Sequence, residues 1–197
     1  MPDSSRALTF IRDSVIFTET GLSGAFVIDL TRFEDSRGFF GRSWCAREFE
    51  AHGLNTRLAQ CNVSRNHARG TLRGLHYQMA PHEEAKLVRC TMGAIFDVIV
   101  DVRPHSSTYL KSFNAILSAE NHRSLYIPEG CAHGFLTLTD QSEVFYQMSE
   151  FYAPHAAAGI RWNDPLLSIA WPEPVVVISE RDQAFPDFRP RRAGESP

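Results

Sequence analysis

Eight residues, Thr71-Leu-Arg-Gly-Leu-His-Tyr-Gln78, restrict what this 197-residue chain can fold into more than any other stretch. The run lies between a polar segment, Ser64 to Gly70, and Met79-Ala-Pro-His, and it reads as a strand. Strand alternation puts Leu72, Gly74, His76 and Gln78 on one face and Arg73, Leu75 and Tyr77 on the other. Neither face is apolar throughout, because a guanidinium, an imidazole and a carboxamide fall close together. Polar groups turned into a core cost free energy unless they are paired or put to chemical use. The stretch therefore predicts a polar-lined cavity inside a β fold.

The rest of the chain reads as short strands at close spacing. Residues 1 to about 23 lack sustained periodicity and read as an N-terminal arm or short edge strand. Ala25 to Leu30 is strand-like, Asp35-Ser-Arg-Gly38 marks a turn, and Phe39-Phe-Gly-Arg-Ser-Trp44 reads as a second strand. Ala46 to His52 favours a short helix closed by Gly53, and Arg57 to Val63 alternates again. From Lys86 onward the pattern is all strand: Lys86 to Cys90, Ile95 to Val102, Phe113 to Leu117, Ser124 to Ile127, Gly134 to Leu138 and Glu143 to Met148. In the second of these, Phe96, Val98, Val100 and Val102 share one face, with Ile95, Asp97, Ile99 and Asp101 on the other. Such spacing implies an all-β sandwich or jelly roll with short peripheral helices. With no internal repeat or linker, one domain is expected over 1–197: the arm, a core from about 24 to 186, and a flexible tail over 187–197.

Composition narrows the function. The formal net charge of −3 leaves no basic footprint for nucleic acid or an anionic membrane. No apolar run reaches spanning length, and the first residues carry no signal-peptide pattern. Cys45, Cys61, Cys90 and Cys131 are scattered without a C-x-x-C pair, as expected of reduced thiols in a cytoplasmic protein.

Pro128-Glu-Gly-Cys-Ala-His133 has the P-x-G-x-x-H spacing of the second cupin motif, in which a turn throws a histidine into a barrel. The first cupin motif needs H-x-H to hold a metal, and His76-Tyr-Gln78 supplies one imidazole, so no metal is expected. Taken singly, His76 reads equally as a satisfied core residue, Lys86 as an edge-strand lysine, and Tyr146 as an aromatic on a pleated face. Arg37 reads as a turn residue and Asp182 as a cap. Their combination carries the weight.

F-x-D-x-R-G-F-F, Q-x-N, L-R-G-L-H-Y-Q, K-L-V-R-C, G-x-x-x-D-V-x-V-D-V-R, L-S-A-E-N, I-P-E-G-x-A-H-G-F, W-N-D-P and S-x-R-D occur here in one order. From about Phe26 to Pro186 the chain resembles the dTDP-4-dehydrorhamnose 3,5-epimerase family. The resemblance implies a metal-independent cupin-type jelly-roll β-sandwich, without cofactor, usually a homodimer whose N-terminal strands cross to the partner. It implies inversion of C3 and C5 of a dTDP-4-keto-6-deoxyhexose, a nucleotide-sugar substrate, toward dTDP-L-rhamnose for polysaccharide synthesis.

Inverting a carbon beside a ketone needs a base on one face and a proton donor on the other. By resemblance His76 is the base, with a pKa class suited to neutrality, and Asp182 holds its tautomer. Tyr146 is the donor, and Lys86 stabilises the enolate oxygen. His133 contacts the hexose, Arg37 and Arg73 bind the diphosphate, Gln60 and Asn62 meet the nucleotide, and Tyr152 lines the sugar pocket.

The chain departs from the family at Arg42 and Ala157, where glutamates are common, and in Ser106 to Ser112, which lacks a tryptophan. These bear on the nucleotide end and the subunit surface. Alternative readings are a single-centre epimerase on another nucleotide-linked keto sugar, a catalytically silent sugar-binding cupin, and, more distantly, a metal-dependent cupin oxygenase.

Overall fold

The computed structural model describes residues 15–190, and here nearly all of the regular secondary structure is antiparallel strand. In order these are β1 (Val15–Glu19), β2 (Phe26–Leu30), β3 (Phe33–Asp35), β4 (Gly38–Phe40), helix α1 (Ala46–Ala51), β5 (Gln60–Asn66), β6 (Thr71–Gln78), β7 (Lys86–Met92) and β8 (Ala94–Asp101). Then come β9 (Ser112–Ser118), β10 (Ser124–Ile127), β11 (Cys131–Thr137), β12 (Ser142–Met148), β13 (Ala157–Gly159), β14 (Val177–Ile178) and helix α2 (Glu180–Gln183).

The strands form two facing sheets, the jelly-roll sandwich expected of a cupin. One sheet has the order β1-β2-β10-β7-β12-β5 and the other β13-β6-β11-β8-β9, with β14 lying parallel beside β6. Strands β3 and β4 form a separate hairpin. Between the sheets Ile95 and Ile99 of β8 meet Val88, Leu125, Ile127 and Val144 of the opposite sheet. The alternate residues of β8, Val98 and Val100, face away and are covered by Ile160 and Leu167 of the C-terminal stretch. Both faces of β8 are therefore buried, as its near-continuous apolar run requires. On the outer face of the first sheet, Phe49 of α1 packs over Ile28, Leu87 and Tyr126. Gly53, at a φ of +70°, ends that helix.

One local expectation changes, and the two ends are placed more closely. The strand expected over Phe39 to Trp44 is confined to Gly38–Phe40, because its pairing partner, β3, is three residues long. Residues 15–19 form β1, the short edge strand that is one reading of this stretch, paired with β2; residues 1–14 lie outside those described. At the other end Phe188 donates its N–H to Asp164 at 2.5 Å, while 191–197 of the expected tail lie outside the described residues.

The most consequential change is inside β6. Its register with β11 pairs His133 with His76 but Phe135 with Arg73, so three steps on β6 match two on β11. This bulge breaks strict alternation and brings Arg73 onto the same face as His76. The glycines allow it. A Cβ on Gly74 would lie 2.5 Å from Gly134 Cα, and one on Gly134 would lie 2.8 Å from the Arg73 carbonyl oxygen. Gly74 also has a φ of +133°, which side-chain-bearing residues rarely adopt. Among the described residues no helix is long and apolar enough to cross a membrane.

Candidate active site

Between the sheets, where β5 edges one and β13 the other, lies a cavity of about 500 Å³. Sequence pattern explains it. The inward face of β5 carries Gln60, Asn62, Ser64 and Asn66, and the bulged face of β6 carries Arg73, His76 and Gln78. Polar side chains here leave space where the apolar residues of the other strands interlock. Of the ten site residues named from the sequence, His76, Lys86, Tyr146, Gln60, Asn62, Arg73, His133 and Tyr152 all line this cavity.

His76 stands on the β6 wall with its side chain 40 % exposed. Its Nε2 lies 2.7 Å from Oδ1 of Asp182, which α2 presents from behind. The other carboxylate oxygen of Asp182 accepts the Gly74 N–H at 3.1 Å, and Ser179 caps the helix by accepting the Asp182 N–H. Burial by itself would raise the Asp182 carboxyl, but the His76 imidazole and the Gly74 N–H together hold it below the usual carboxylate range. An ionised Asp182 accepts, so Nε2 of His76 carries the proton, and in the neutral ring the lone pair then stands at Nδ1.

Tyr146 comes from the opposite sheet, on β12, paired with Asn62 and Val88. Burial pushes its phenol well above the ordinary value, the nearby Asp97 adds to this, and Ser64 bonds to the hydroxyl. It is held as an O–H donor throughout the neutral range. Lys86, 5 % exposed, enters from β7 with Nζ 3.0 Å from Glu84 Oε1 and 3.3 Å from the His76 carbonyl oxygen. A base, a proton donor and a cation therefore border one space.

His133 follows the Pro128-to-Gly130 turn onto β11 and bonds the fully buried Asp97 through Nε2 at 2.9 Å. Burial raises the Asp97 carboxyl against the opposing pull of His133 and Lys86. The His133 ring meets the Tyr146 ring edge to face at 6.1 Å. Toward the mouth, Arg73 donates from Nε to Asn66 at 2.7 Å, and the Tyr152 N–H donates to Gln60 at 2.5 Å.

Arg37 is placed elsewhere. It sits at the β3–β4 hairpin with its side chain 87 % exposed, bonded to Asp35, and does not line the cavity. Arg42 is likewise outside the cavity and pairs with Glu48 at 2.7 Å, whereas Ala157 is in its wall opposite Gln78.

Polar residues of the site that carry no assignment from the sequence include Glu84, Arg181, Asp97 and Ser64. Arg181 adjoins Asp182 in S-x-R-D, and Glu84 precedes K-L-V-R-C by two, so spacing to known motifs was the available signal. Asp97 had a different signal, an acid that shares a strand face with Ile95 and Ile99 as well as Asp101. Among the described residues no group of three or more His, Cys, Asp or Glu side chains is arranged to hold a metal ion.

Comparison with known proteins covers most of the chain. Residues 19–190 match the family model described as dTDP-4-dehydrorhamnose 3,5-epimerase. The chain is 46 % identical over 160 residues to the dTDP-4-dehydrorhamnose 3,5-epimerase of Pseudomonas aeruginosa, covering 79 % of this chain and 87 % of that one. The crystal structure of the Elizabethkingia anophelis dTDP-4-dehydrorhamnose 3,5-epimerase superposes with a TM-score of 0.87 at 38 % identity, covering 89 % of this chain and 97 % of that one. A Legionella pneumophila dTDP-6-deoxy-D-glucose-3,5-epimerase, solved in complex with dTDP-4-keto-L-rhamnose, gives a TM-score of 0.80 at 34 % identity, covering 89 % and 99 %.

Proposed function

This chain belongs to the dTDP-4-dehydrorhamnose 3,5-epimerase family, and from that membership we propose that it inverts C3 and C5 of dTDP-4-dehydro-6-deoxy-D-glucose. The observation that carries the reading is the His76–Asp182 pair at 2.7 Å on one cavity wall, with Tyr146 on the sheet opposite. The Nδ1 lone pair of His76 takes the proton from the carbon beside the ketone. The electron pair moves onto the ketone oxygen, where the Lys86 ammonium stabilises the developing charge. Tyr146 returns a proton to the opposite face of the carbon, and solvent resets the base and the donor.

His133 and Tyr152 meet the hexose, while Arg73, Gln60 and Asn62 take the diphosphate and nucleotide end. Arg37 reaches that end in a homodimer, from the partner's hairpin. Exposure of the hairpin's Phe40 at 75 % supports this. The enzyme works in the cytoplasm, in keeping with four free cysteines.

The test is proton NMR in heavy water with dTDP-4-dehydro-6-deoxy-D-glucose and a reductase with NADPH as trap. Deuterium at both C3 and C5, with dTDP-L-rhamnose formed, is expected. Exchange at one carbon would reassign the chain to a single-centre epimerase, and no exchange would overturn the substrate.

A further inference from the structure

The cavity contains a carboxylate with no part in the chemistry above. Glu84 lies in the segment entering β7 and is 8 % exposed. Residues 84 and 86 are two apart on extended chain, so both turn into the cavity while Ala85 packs outward beneath Phe49 and Leu87. That backbone is fixed: the Ala85 N–H donates to Ser149 Oγ at 2.7 Å, and the Ser149 N–H donates to the Ala85 carbonyl at 3.0 Å.

A lysine ammonium has three N–H donors and no acceptor. At Lys86, Glu84 Oε1 at 3.0 Å takes one and the His76 carbonyl at 3.3 Å takes another. One donor is left for a ligand, and the cavity is the space that Lys86 lines. Lysine is a mobile point charge on a four-carbon stem, so without such anchors its ammonium samples many positions. Asp97 does not share this task directly, since both its oxygens face His133.

We infer that Glu84 is a positioning residue for the epimerisation: it holds the Lys86 ammonium so that its one uncommitted N–H is presented to the ketone oxygen. The inference rests on the function proposed above. Because it acts through Lys86, its removal matters only while Lys86 is present. A group misplaced by about 1 Å costs on the order of a hundredfold in rate, which sets the scale of the effect.

The experiment compares deuterium uptake by wild type, Glu84→Ala, Glu84→Gln, Lys86→Ala and the Glu84→Ala/Lys86→Ala double variant. Glu84→Ala should lower kcat about 10- to 100-fold with KM changed less than about threefold, the signature of an interaction realised in the transition state. Glu84→Gln, whose amide oxygen accepts the same hydrogen bond, should fall between it and wild type. In the Lys86→Ala background Glu84→Ala should have no further effect on kcat. A purely structural role would instead lower the melting temperature and the folded fraction, with kcat per folded site unchanged.

A full additional loss in the double variant, or wild-type kcat in folded Glu84→Ala, overturns the inference and leaves the proposed function standing. Absence of exchange by the wild-type enzyme overturns the proposed function, and the inference with it.

Discussion

Replacing Asp182 by Asn should invert the tautomer of the base. The carboxylate does two jobs at once: Oδ1 accepts from His76 Nε2 at 2.7 Å, and Oδ2 accepts from the Gly74 N–H at 3.1 Å. An asparagine must keep its single oxygen toward Gly74, or leave that buried N–H facing an NH2 group. The mismatch costs about 1–3 kcal/mol. The NH2 group then faces Nε2, which must accept, and the proton moves to Nδ1 where the lone pair is needed.

Loss of the charge-assisted hydrogen bond to the imidazolium removes about 1.5–3 kcal/mol more. Together these put kcat down by about 10²- to 10⁴-fold, at 1.36 kcal/mol per tenfold. The assay is single-turnover deuterium wash-in at C3 and C5, with circular dichroism to show that the variant is folded. The tautomer argument adds an ordering: Asp182→Ala, which removes more atoms, leaves His76 free to adopt either tautomer and should be the less impaired of the two. Asp182→Asn within fivefold of wild type, or faster than Asp182→Ala, would refute the reasoning.

Tyr146→Phe should keep proton abstraction by His76 while losing the donor on the other face, so deuterium uptake with retained configuration should persist as trapped dTDP-L-rhamnose falls about 10²-fold or more. Asp101→Ala removes a fully buried carboxylate that binds Arg103 at 2.8 Å, Ser106 at 2.5 Å and Thr108 at 2.6 Å, and should cost about 3 kcal/mol in urea unfolding at pH 7. Burial opposes ionisation of Asp101, yet these partners hold its carboxyl below the usual range. The wild-type advantage should therefore be complete above about pH 5 and shrink as pH falls through the unfolded value near about 3.9 and then the lower folded one. Gly74→Ala drives a Cβ into Gly134 at a φ of +133° and should cost about 2–4 kcal/mol, read as a lowered urea midpoint.

Much of the sandwich is legible in the sequence because its strands are short, apolar and separated by turn residues. The faces of β8 follow from alternation: Ile95 and Ile99 pack between the sheets, and Val98 and Val100 pack outward. Alternation fails at β6, since no periodicity shows that Gly74 and Gly134 touch and let one residue bulge out. Strands β13 and β14 have three and two residues, too few for any period to show. The positions of His76, Lys86, Tyr146 and Asp182 follow from motif resemblance. The pairing of Asp97 with His133 needs three dimensions, because a hydrogen bond between residues 36 apart leaves no local trace, whereas Glu84 stands two residues from the Lys86 it meets.

The site divides into two parts held by different forces. Lys86 and Tyr146 belong to one sheet, His76 and His133 to the other, and the gap between them is set by the apolar layer of Val88, Ile95, Ile99, Leu125 and Phe135. Such a layer resists deformation, which suits a reaction whose base and donor must stand on opposite faces of one carbon. The orientation of His76 is set otherwise, by Asp182 on a four-residue helix that reaches β6 through β14, a two-residue parallel pairing. That attachment is short beside the long ladders of the two sheets, so it is the part of the site expected to open first. Unpinning it would cost the base its carboxylate while the sandwich, the lysine and the tyrosine stay in place, so catalysis should be lost under milder denaturation than the fold.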